Sequence, residues 1–159
     1  MMKSRQIVAK YSFEGYNGYT NLINDIGKIT GIHYKEELNK ILELDYIILN
    51  RDRHLGNMGF VYNLKTRKFR VAPIFDNGDS LFSLSDVSQF NYSSDLDAYA
   101  NARPFMYRHR LQVQLLEKRR FRGKKIDNTL SYIDKLVKIG LDVHRAEFIK
   151  QLLIDRINK

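Results

Sequence analysis

The clearest hydrophobic pattern in the chain lies at residues 34–49, where apolar side chains recur at intervals of three and four. This spacing predicts an amphipathic helix. Its apolar face consists of Leu38, Ile41, Leu42, Ile48 and Leu49. Asp45 falls on the same face, so we expect its carboxylate to orient the polar loop at residues 50–57 by hydrogen bonding.

Two short β-strands are predicted directly after that loop. Residues 58–62 and 68–72 are short segments bounded by turn-forming residues, a pattern typical of a β-hairpin. Pro73 ends the second strand, because proline has no N–H to donate to a ladder. A polar segment follows at residues 76–80.

The second half of the chain predicts further helices. Pro104 suits the first turn of a helix that we expect to run to about Arg119. Residues 127–139 and 143–157 each repeat apolar positions at helical spacing. Asp142 is the expected N-cap of the last helix.

The remaining segments predict little regular structure. Residues 1–33 are interrupted by glycine and are expected to be irregular, and residues 83–102 are rich in Ser, Asp and Asn, as in a loop. We therefore expect an α+β fold, mostly helical, with one small sheet. Residues 1–159 form one domain, in which a helix, loop and hairpin at 34–82 precede a helical tail at 83–159.

The composition excludes several classes of site. The 159 residues contain no Cys, which excludes disulfides, thiolate metal sites and Cys nucleophiles. The four His residues form no pair at helical spacing, so a zinc site is not expected. Neither a membrane-spanning run nor an apolar signal core is found, and we expect a cytoplasmic protein.

The positive charge is concentrated in one stretch. Of the net charge of +9, residues 103–125 contribute +8, from nine basic side chains and one acid. Such a run is commonly a solvated face, and the functional alternative is a phosphate-bearing or acidic partner, either nucleic acid or protein. Phe105, Tyr107 and Phe121 are interleaved with the basic residues, which suits base stacking or core packing equally well.

Three oxygen-bearing side chains are expected to meet at one end of the hairpin. Asp52 and Asn57 lie five residues apart in the loop, and Asp76 follows the second strand. A hairpin brings its two ends together, and hard oxygen ligands of this kind suit Mg²⁺ that is shared with phosphates. The spacing matches the catalytic-loop Asp, the Asn and the second metal-binding Asp of protein kinases.

Two segments also carry a family resemblance. Asn-Arg-Asp-Arg-His-Leu-Gly-Asn at 50–57 and Ala-Pro-Ile-Phe-Asp-Asn-Gly at 72–78 resemble the HipA-like Ser/Thr kinases, whose founding member is the toxin of a bacterial toxin–antitoxin pair. The resemblance is strong over residues 38–82 and looser in the helical tail. It implies a protein-kinase-like C-lobe, in which the hairpin carries the metal-binding motif.

The resemblance implies a role for each matched residue. The catalytic group is Asp52, Arg53 and His54, with Asp52 as the base and the other two as structural neighbours in the loop. The cofactor-binding group, for ATP and Mg²⁺, is Asn57, Asp76 and Gly78, and the resemblance makes Asn57 and Asp76 the metal ligands. Gly78 is included on a separate ground, because Asn77-Gly78 is expected to form a turn that also leaves backbone N–H groups facing phosphate. The substrate is a protein hydroxyl.

One part of the family pattern is missing from the sequence. Neither G-x-G-x-x-G nor a Walker A motif is present, and 37 residues precede the matched segment. We therefore expect a C-lobe without its nucleotide-binding N-lobe, with negligible activity alone, whose partners are a complementary N-lobe chain or an antitoxin. The alternative is a non-catalytic, degenerate lobe that binds nucleic acid or a partner protein through residues 103–125. Metal-dependent phosphoester hydrolysis fits the ligands, but the hairpin spacing less well.

Overall fold

Five α-helices and a three-stranded antiparallel sheet make up the regular structure of residues 2–3, 15–89 and 96–159, which are the residues that the computed structural model describes. Short 3₁₀ turns connect them. The predicted α+β class with mostly helical content is confirmed. The helices are α1 (Gly15–Thr30), α2 (Lys35–Ile48), α3 (His109–Gln112), α4 (Asp127–Val137) and α5 (Val143–Asn158), and the strands are β1 (Met2–Lys3), β2 (Gly59–Asn63) and β3 (Lys68–Val71).

Helix α2 forms within residues 34–49, where the hydrophobic pattern predicts a helix. Its apolar face is buried, and two acidic side chains on the same helix, Glu43 and Asp45, are also buried. The helix ends where Leu49 adopts a left-handed backbone with φ of 49° and its N–H donates to the carbonyl of Asp45. This turn directs the following loop back across the helix end.

The predicted hairpin is confirmed and gains a third strand. Strands β2 and β3 pair antiparallel with Phe60 opposite Val71, and β1 pairs with the other edge of β2 so that Met2 lies opposite Phe60. Because β1 has only two residues, no periodic pattern marks it in the sequence. The order β1-β2-β3 places β2 in the middle of the sheet.

The prediction that residues 1–33 are irregular is wrong for α1, and residues 4–14 of that segment lie outside the described residues. Three buried apolar residues at helical spacing form the face by which this helix packs into the core. They are Tyr19, Leu22 and Ile26. Two of the glycines that suggested irregularity, Gly15 and Gly31, lie at the helix ends with positive φ, where glycine is favourable.

The helix predicted from Pro104 to about Arg119 is also wrong. Only α3 is helical there, followed by a 3₁₀ turn at Val113–Leu115. The carbonyls of Phe105 and Tyr107, which a helix would pair with later N–H groups, accept instead from the N–H groups of Gly15 at 2.7 Å and Ala102 at 3.1 Å. The buried Gln112 side chain holds this non-helical turn, because its oxygen accepts from the N–H groups of Phe105 and Met106 and its nitrogen donates to the carbonyl of Arg103.

The last two predicted helices are confirmed as α4 and α5. The Asp142 carboxylate caps α5 by accepting the Arg145 N–H at 2.9 Å. Part of the predicted loop at 83–102 forms 3₁₀ turns at Val87–Gln89 and Leu96–Ala98, and residues 90–95 lie outside the described residues. No helix in the described part of the chain is long and apolar enough to cross a membrane.

The core has two parts. The main cluster packs α1, α2 and the hairpin against residues from α4 and α5. A smaller cluster lies between the end of α2 and α5, and it consists of Leu49, Phe82, Ala100, Phe148 and Leu152. The smaller cluster anchors the segment that follows Asp76, because Phe82 packs edge-on against Phe148 at 5.8 Å between ring centroids.

Candidate active site

A buried arginine joins the two segments that carry the kinase-like motifs. Arg53 is 0% exposed, and each of its five N–H groups has an acceptor. The Nε atom lies 2.9 Å from Asp45 Oδ2, and Nη2 bonds to Asp45 Oδ1 and to the amide oxygen of Asn77. The Nη1 atom donates to the carbonyls of Asn57 at 3.0 Å and Phe75 at 2.7 Å. Helix α2, the loop at 50–57 and the segment after the hairpin therefore meet at one side chain.

Asp45 orients the loop as its position on the apolar face predicted. Besides Arg53, it accepts the side-chain N–H of Asn50 at 3.0 Å, and the Asn50 oxygen in turn accepts the backbone N–H of Asp52 at 3.1 Å. Burial raises the pKa of the Asp45 carboxyl, while the hydrogen bonds and charge of Arg53, and then Asn50, act in the opposite direction. The chain of contacts fixes the backbone position of Asp52.

The Asp52 carboxylate lies at the surface of this network. Its side chain is 48% exposed, and Oδ1 lies 3.4 Å from Nη1 of Arg103, which is 58% exposed. The Asp52 backbone carbonyl accepts the side-chain N–H of Asn57 at 2.9 Å. The backbone is therefore held while the carboxylate stays accessible, as a group that accepts a proton from an incoming hydroxyl must be.

Asn57 and Asp76 come from the two sides of the hairpin. Asn57 is 4% exposed, and because its amide nitrogen is engaged by Asp52, its amide oxygen is the group left for a cation. Asp76 directly follows Phe75, whose carbonyl shares a single Arg53 nitrogen with the carbonyl of Asn57. The hairpin thus brings the two segments together.

Asp76 has an unusual backbone conformation. Its φ of 58° lies in the left-handed region, which Asp and Asn adopt more readily than other non-glycine residues. The side chain is exposed. Gly78, the other predicted cofactor-binding residue in this segment, has open space where a Cβ would lie. The described neighbours of Gly78 leave room for a ligand to approach the backbone there.

His54 has a structural role in this arrangement, as expected of a neighbour in the loop. Its Nδ1 accepts the N–H of Gly56 at 3.0 Å and caps the 3₁₀ turn at Leu55–Asn57. A Cβ on Gly56 would lie 2.7 Å from the exposed His54 ring, so a larger residue at position 56 would displace the imidazole from this cap. Arg53 is likewise a positioning residue, since its donors are all used within the protein.

Two contacts at this site escape sequence reasoning. Arg51 binds Asp79 through its side chain at 2.5 Å and its backbone N–H at 2.9 Å, which fastens the segment after Asp76 to the loop. Arg103 reaches Asp52 from a loop 51 residues away. The sequence contains no signal for either pairing, because charged residues at these separations are not linked by any periodic pattern.

The residues present fit Mg²⁺ better than a metal that needs a complete protein cage. The described part of the chain contains no group of three His, Cys, Asp or Glu that could hold a metal ion. Asn57 and Asp76 offer one amide and one carboxylate oxygen. Mg²⁺ is commonly held by one or two carboxylates together with substrate phosphates and water, so a donor set of this size suits it.

The chain was compared with protein-family models, curated proteins and solved structures, and no match was found. A functional proposal therefore depends on the motifs at residues 50–57 and 72–78 and on the hydrogen-bond network around Arg53.

Proposed function

We propose that this chain is the C-lobe of a HipA-like Ser/Thr protein kinase, which transfers the γ-phosphate of ATP to a protein hydroxyl. The observation that carries the proposal is the Arg53 network. One fully buried guanidinium joins the loop of Asp52 and Asn57 to the segment of Asp76. These are the three groups that a kinase site needs on one lobe.

Asp52 acts as the base in this proposal. The hydroxyl oxygen of the substrate bonds to the γ-phosphorus, the bond from that phosphorus to the β–γ bridging oxygen breaks, and ADP leaves. The hydroxyl proton passes to Asp52, whose carboxylate is 48% exposed on a fixed backbone. Asn57 and Asp76 would hold Mg²⁺, which neutralises charge on the phosphates when it is bound.

A second lobe is part of the proposal. The sequence contains no glycine-rich loop to cover the phosphates, and each missing group that stabilises transition-state charge costs about 10²–10³ in rate. We therefore propose that a complementary N-lobe completes the site. Robust Mg²⁺-dependent phosphate transfer by this chain alone, abolished in Asp52→Ala, would show that no second lobe is needed.

Ligand-induced stabilisation tests the proposal. The melting temperature of the purified chain is measured with Mg²⁺, with ATP and with both. A ligand at 100-fold excess over its Kd stabilises the fold by about 2.7 kcal/mol, and each kcal/mol raises the melting temperature by roughly 2–4 °C for a protein of this size. We expect the shift only when both components are present.

Asp76→Asn is the informative variant, because Asn tolerates the same left-handed backbone but removes the charge. It is expected to lose the shift. The matched control is Asp127→Asn, an exposed acid in the first turn of α4, which is expected to keep it. The proposal fails if no shift occurs with Mg²⁺ and ATP, or if Asp76→Asn retains the wild-type shift.

A further inference from the structure

A second charged surface lies away from the Arg53 network. The stretch 103–125 does not form a single face, since Arg103 reaches Asp52 while residues near 120 line a separate cleft with a volume of about 680 Å³. We call this cleft the basic cleft. Its lining consists of Lys40, Lys118, Arg119, Arg120, Phe121, Arg122 and Lys124.

A buried acid on α2 positions the segment that lines the basic cleft. Glu43 is 1% exposed, and its two carboxylate oxygens accept the backbone N–H groups of Arg120 at 2.7 Å and Phe121 at 2.8 Å. The segment that carries most of the cations is thus fixed at its centre to the main helix. A cation-bearing segment held in this way forms a defined surface in place of a solvated tail.

Arg119 forms an inner wall of the same cleft. Its guanidinium lies 4.3 Å from the centre of the Tyr46 ring, and its Nη2 donates to the carbonyl of Arg156 at 3.0 Å. The Arg156 guanidinium also lies over the Tyr46 ring, at 4.0 Å. Stacking of this kind immobilises Arg119, so the wall is preorganised.

Three of the six cations are available to a ligand. Lys40 pairs with Glu37, Arg120 pairs with Glu36, and Arg119 lies 3.7 Å from Glu43. In contrast, no ion pair within the described residues engages the exposed side chains of Lys118, Arg122 and Lys124. The cleft therefore retains an excess of positive charge.

We propose that the basic cleft binds single-stranded nucleic acid without strong sequence preference. Its parts are those of such sites, namely cations that contact the phosphate backbone and an aromatic ring on which a base stacks. Phe121 lines the cleft and is 40% exposed. This function is independent of phosphate transfer at Asp52.

The chemistry of the cleft lining disfavours three other occupants. A pocket for one small metabolite presents a few convergent polar groups that fix its orientation, whereas this lining consists of cations and one ring. A double helix keeps its bases paired and stacked on one another, so it would leave Phe121 without a base to stack on. An acidic peptide would use the cations but not the ring.

Fluorescence anisotropy tests the proposal with labelled oligonucleotides of about ten nucleotides, a length within the range that single-strand sites cover. Oligo-dT and oligo-U are compared with a DNA duplex and a poly-Glu peptide. With three phosphate contacts, single-strand affinity should fall about 20-fold between 50 and 200 mM salt. The relative affinities for oligo-dT and oligo-U identify the preferred strand.

Two variants locate the binding. The triple variant Lys118→Gln, Arg122→Gln, Lys124→Gln should abolish most binding, while the control Lys65→Gln, Lys135→Gln, Lys138→Gln removes the same charge from exposed sites elsewhere and should bind within a few-fold of wild type. Phe121→Leu should weaken binding about five-fold or more through lost stacking. Both variants leave the Glu43 anchor intact.

The proposal is overturned if no single strand binds at low salt, or if the duplex or poly-Glu binds as tightly as the single strand. Equal loss in the two triple variants would also overturn it, because that result shows a diffuse attraction to net charge. Circular dichroism of each variant confirms that it is folded before binding is measured.

Discussion

Glu43 and Asp45, two buried acids on α2, organise the two charged regions of the molecule by different means. Residues two apart on a helix do not face the same way, so each acid serves its own region. Asp45 accepts from the side chains of Arg53 and Asn50. Glu43 accepts from the backbone N–H groups of Arg120 and Phe121.

The two regions are therefore sensitive to substitution at different kinds of group. Arg53 passes the constraint of Asp45 on to Asn57, Phe75 and Asn77, so one side chain holds the whole candidate active site together. The hydrogen-bond partners of Glu43 are backbone groups, which substitution of the basic residues does not remove, and the Arg119 guanidinium lies 3.7 Å from the same carboxylate. The exposed cations of the basic cleft can therefore be substituted while the cleft keeps its anchor.

The largest expected effect follows from removal of Arg53. Arg53→Met leaves Asp45 as a buried charge without its cation, and loss of one partner of such a pair costs about 3–5 kcal/mol. We expect this loss in the free energy of unfolding, measured by urea denaturation. Arg51→Met is the control, since the Arg51–Asp79 pair is partly exposed and should cost much less.

A double-mutant cycle measures how strongly Asp45 and Arg53 are coupled. Asp45→Leu with Arg53→Met removes both charges, and the double variant should be less destabilised than the sum of the single variants. Additive effects would contradict the direct coupling of the two side chains. Where Arg53→Met does not fold, the cycle is completed with Arg53→Lys, which retains the charge but replaces the planar fork of five donors with three donors on one nitrogen.

An intermediate effect is expected for Glu43→Gln. One backbone N–H loses its acceptor because the new amide nitrogen is itself a donor, and a buried group left unsatisfied costs about 1–3 kcal/mol. Affinity for oligo-dT should fall with it, while the Mg²⁺- and ATP-dependent shift in melting temperature stays. The control is Glu147→Gln, an exposed acid on α5 whose partner Lys150 is not part of the cleft lining. The anchor role of Glu43 would be contradicted if the two variants behaved alike.

The smallest effect on stability is expected for Arg103→Gln. The pair with Asp52 is about half exposed on both sides, and exposed pairs contribute about 0–1 kcal/mol. Urea denaturation should therefore place Arg103→Gln close to wild type. Destabilisation as large as that of Arg53→Met would show that the loop of Arg103 is part of the same buried network.

The sequence predicts contacts that lie close along the chain and fails for those that do not. Asp45 was recognisable because it interrupts a periodic apolar face, and the loop it orients begins five residues later. Glu43 has no such signal, since its partners lie 77 and 78 residues away. The prediction for α1 failed because glycines at the helix ends looked the same in the sequence as glycines in a loop.

The prediction of a helix that begins at Pro104 failed for a related reason. The carbonyls of Phe105 and Tyr107 pair with Gly15 and Ala102 in place of later helical N–H groups, and such contacts leave no periodic pattern in the sequence. The same loop presents Arg103 to Asp52, so the part of the candidate site that depends on it was also missed. The segments at 50–57 and 72–78 were found because their residue types and spacing are distinctive in themselves.

The left-handed backbone at Asp76 has a consequence for selection experiments. Most non-glycine residues lose about 1–2 kcal/mol in this conformation, Asp loses less, and glycine adopts the same φ without that cost. Selection of the chain for thermal tolerance alone would therefore favour Gly at position 76 and discard the carboxylate. Directed evolution toward a more stable protein would then remove the proposed cation ligand, unless ligand binding were selected at the same time.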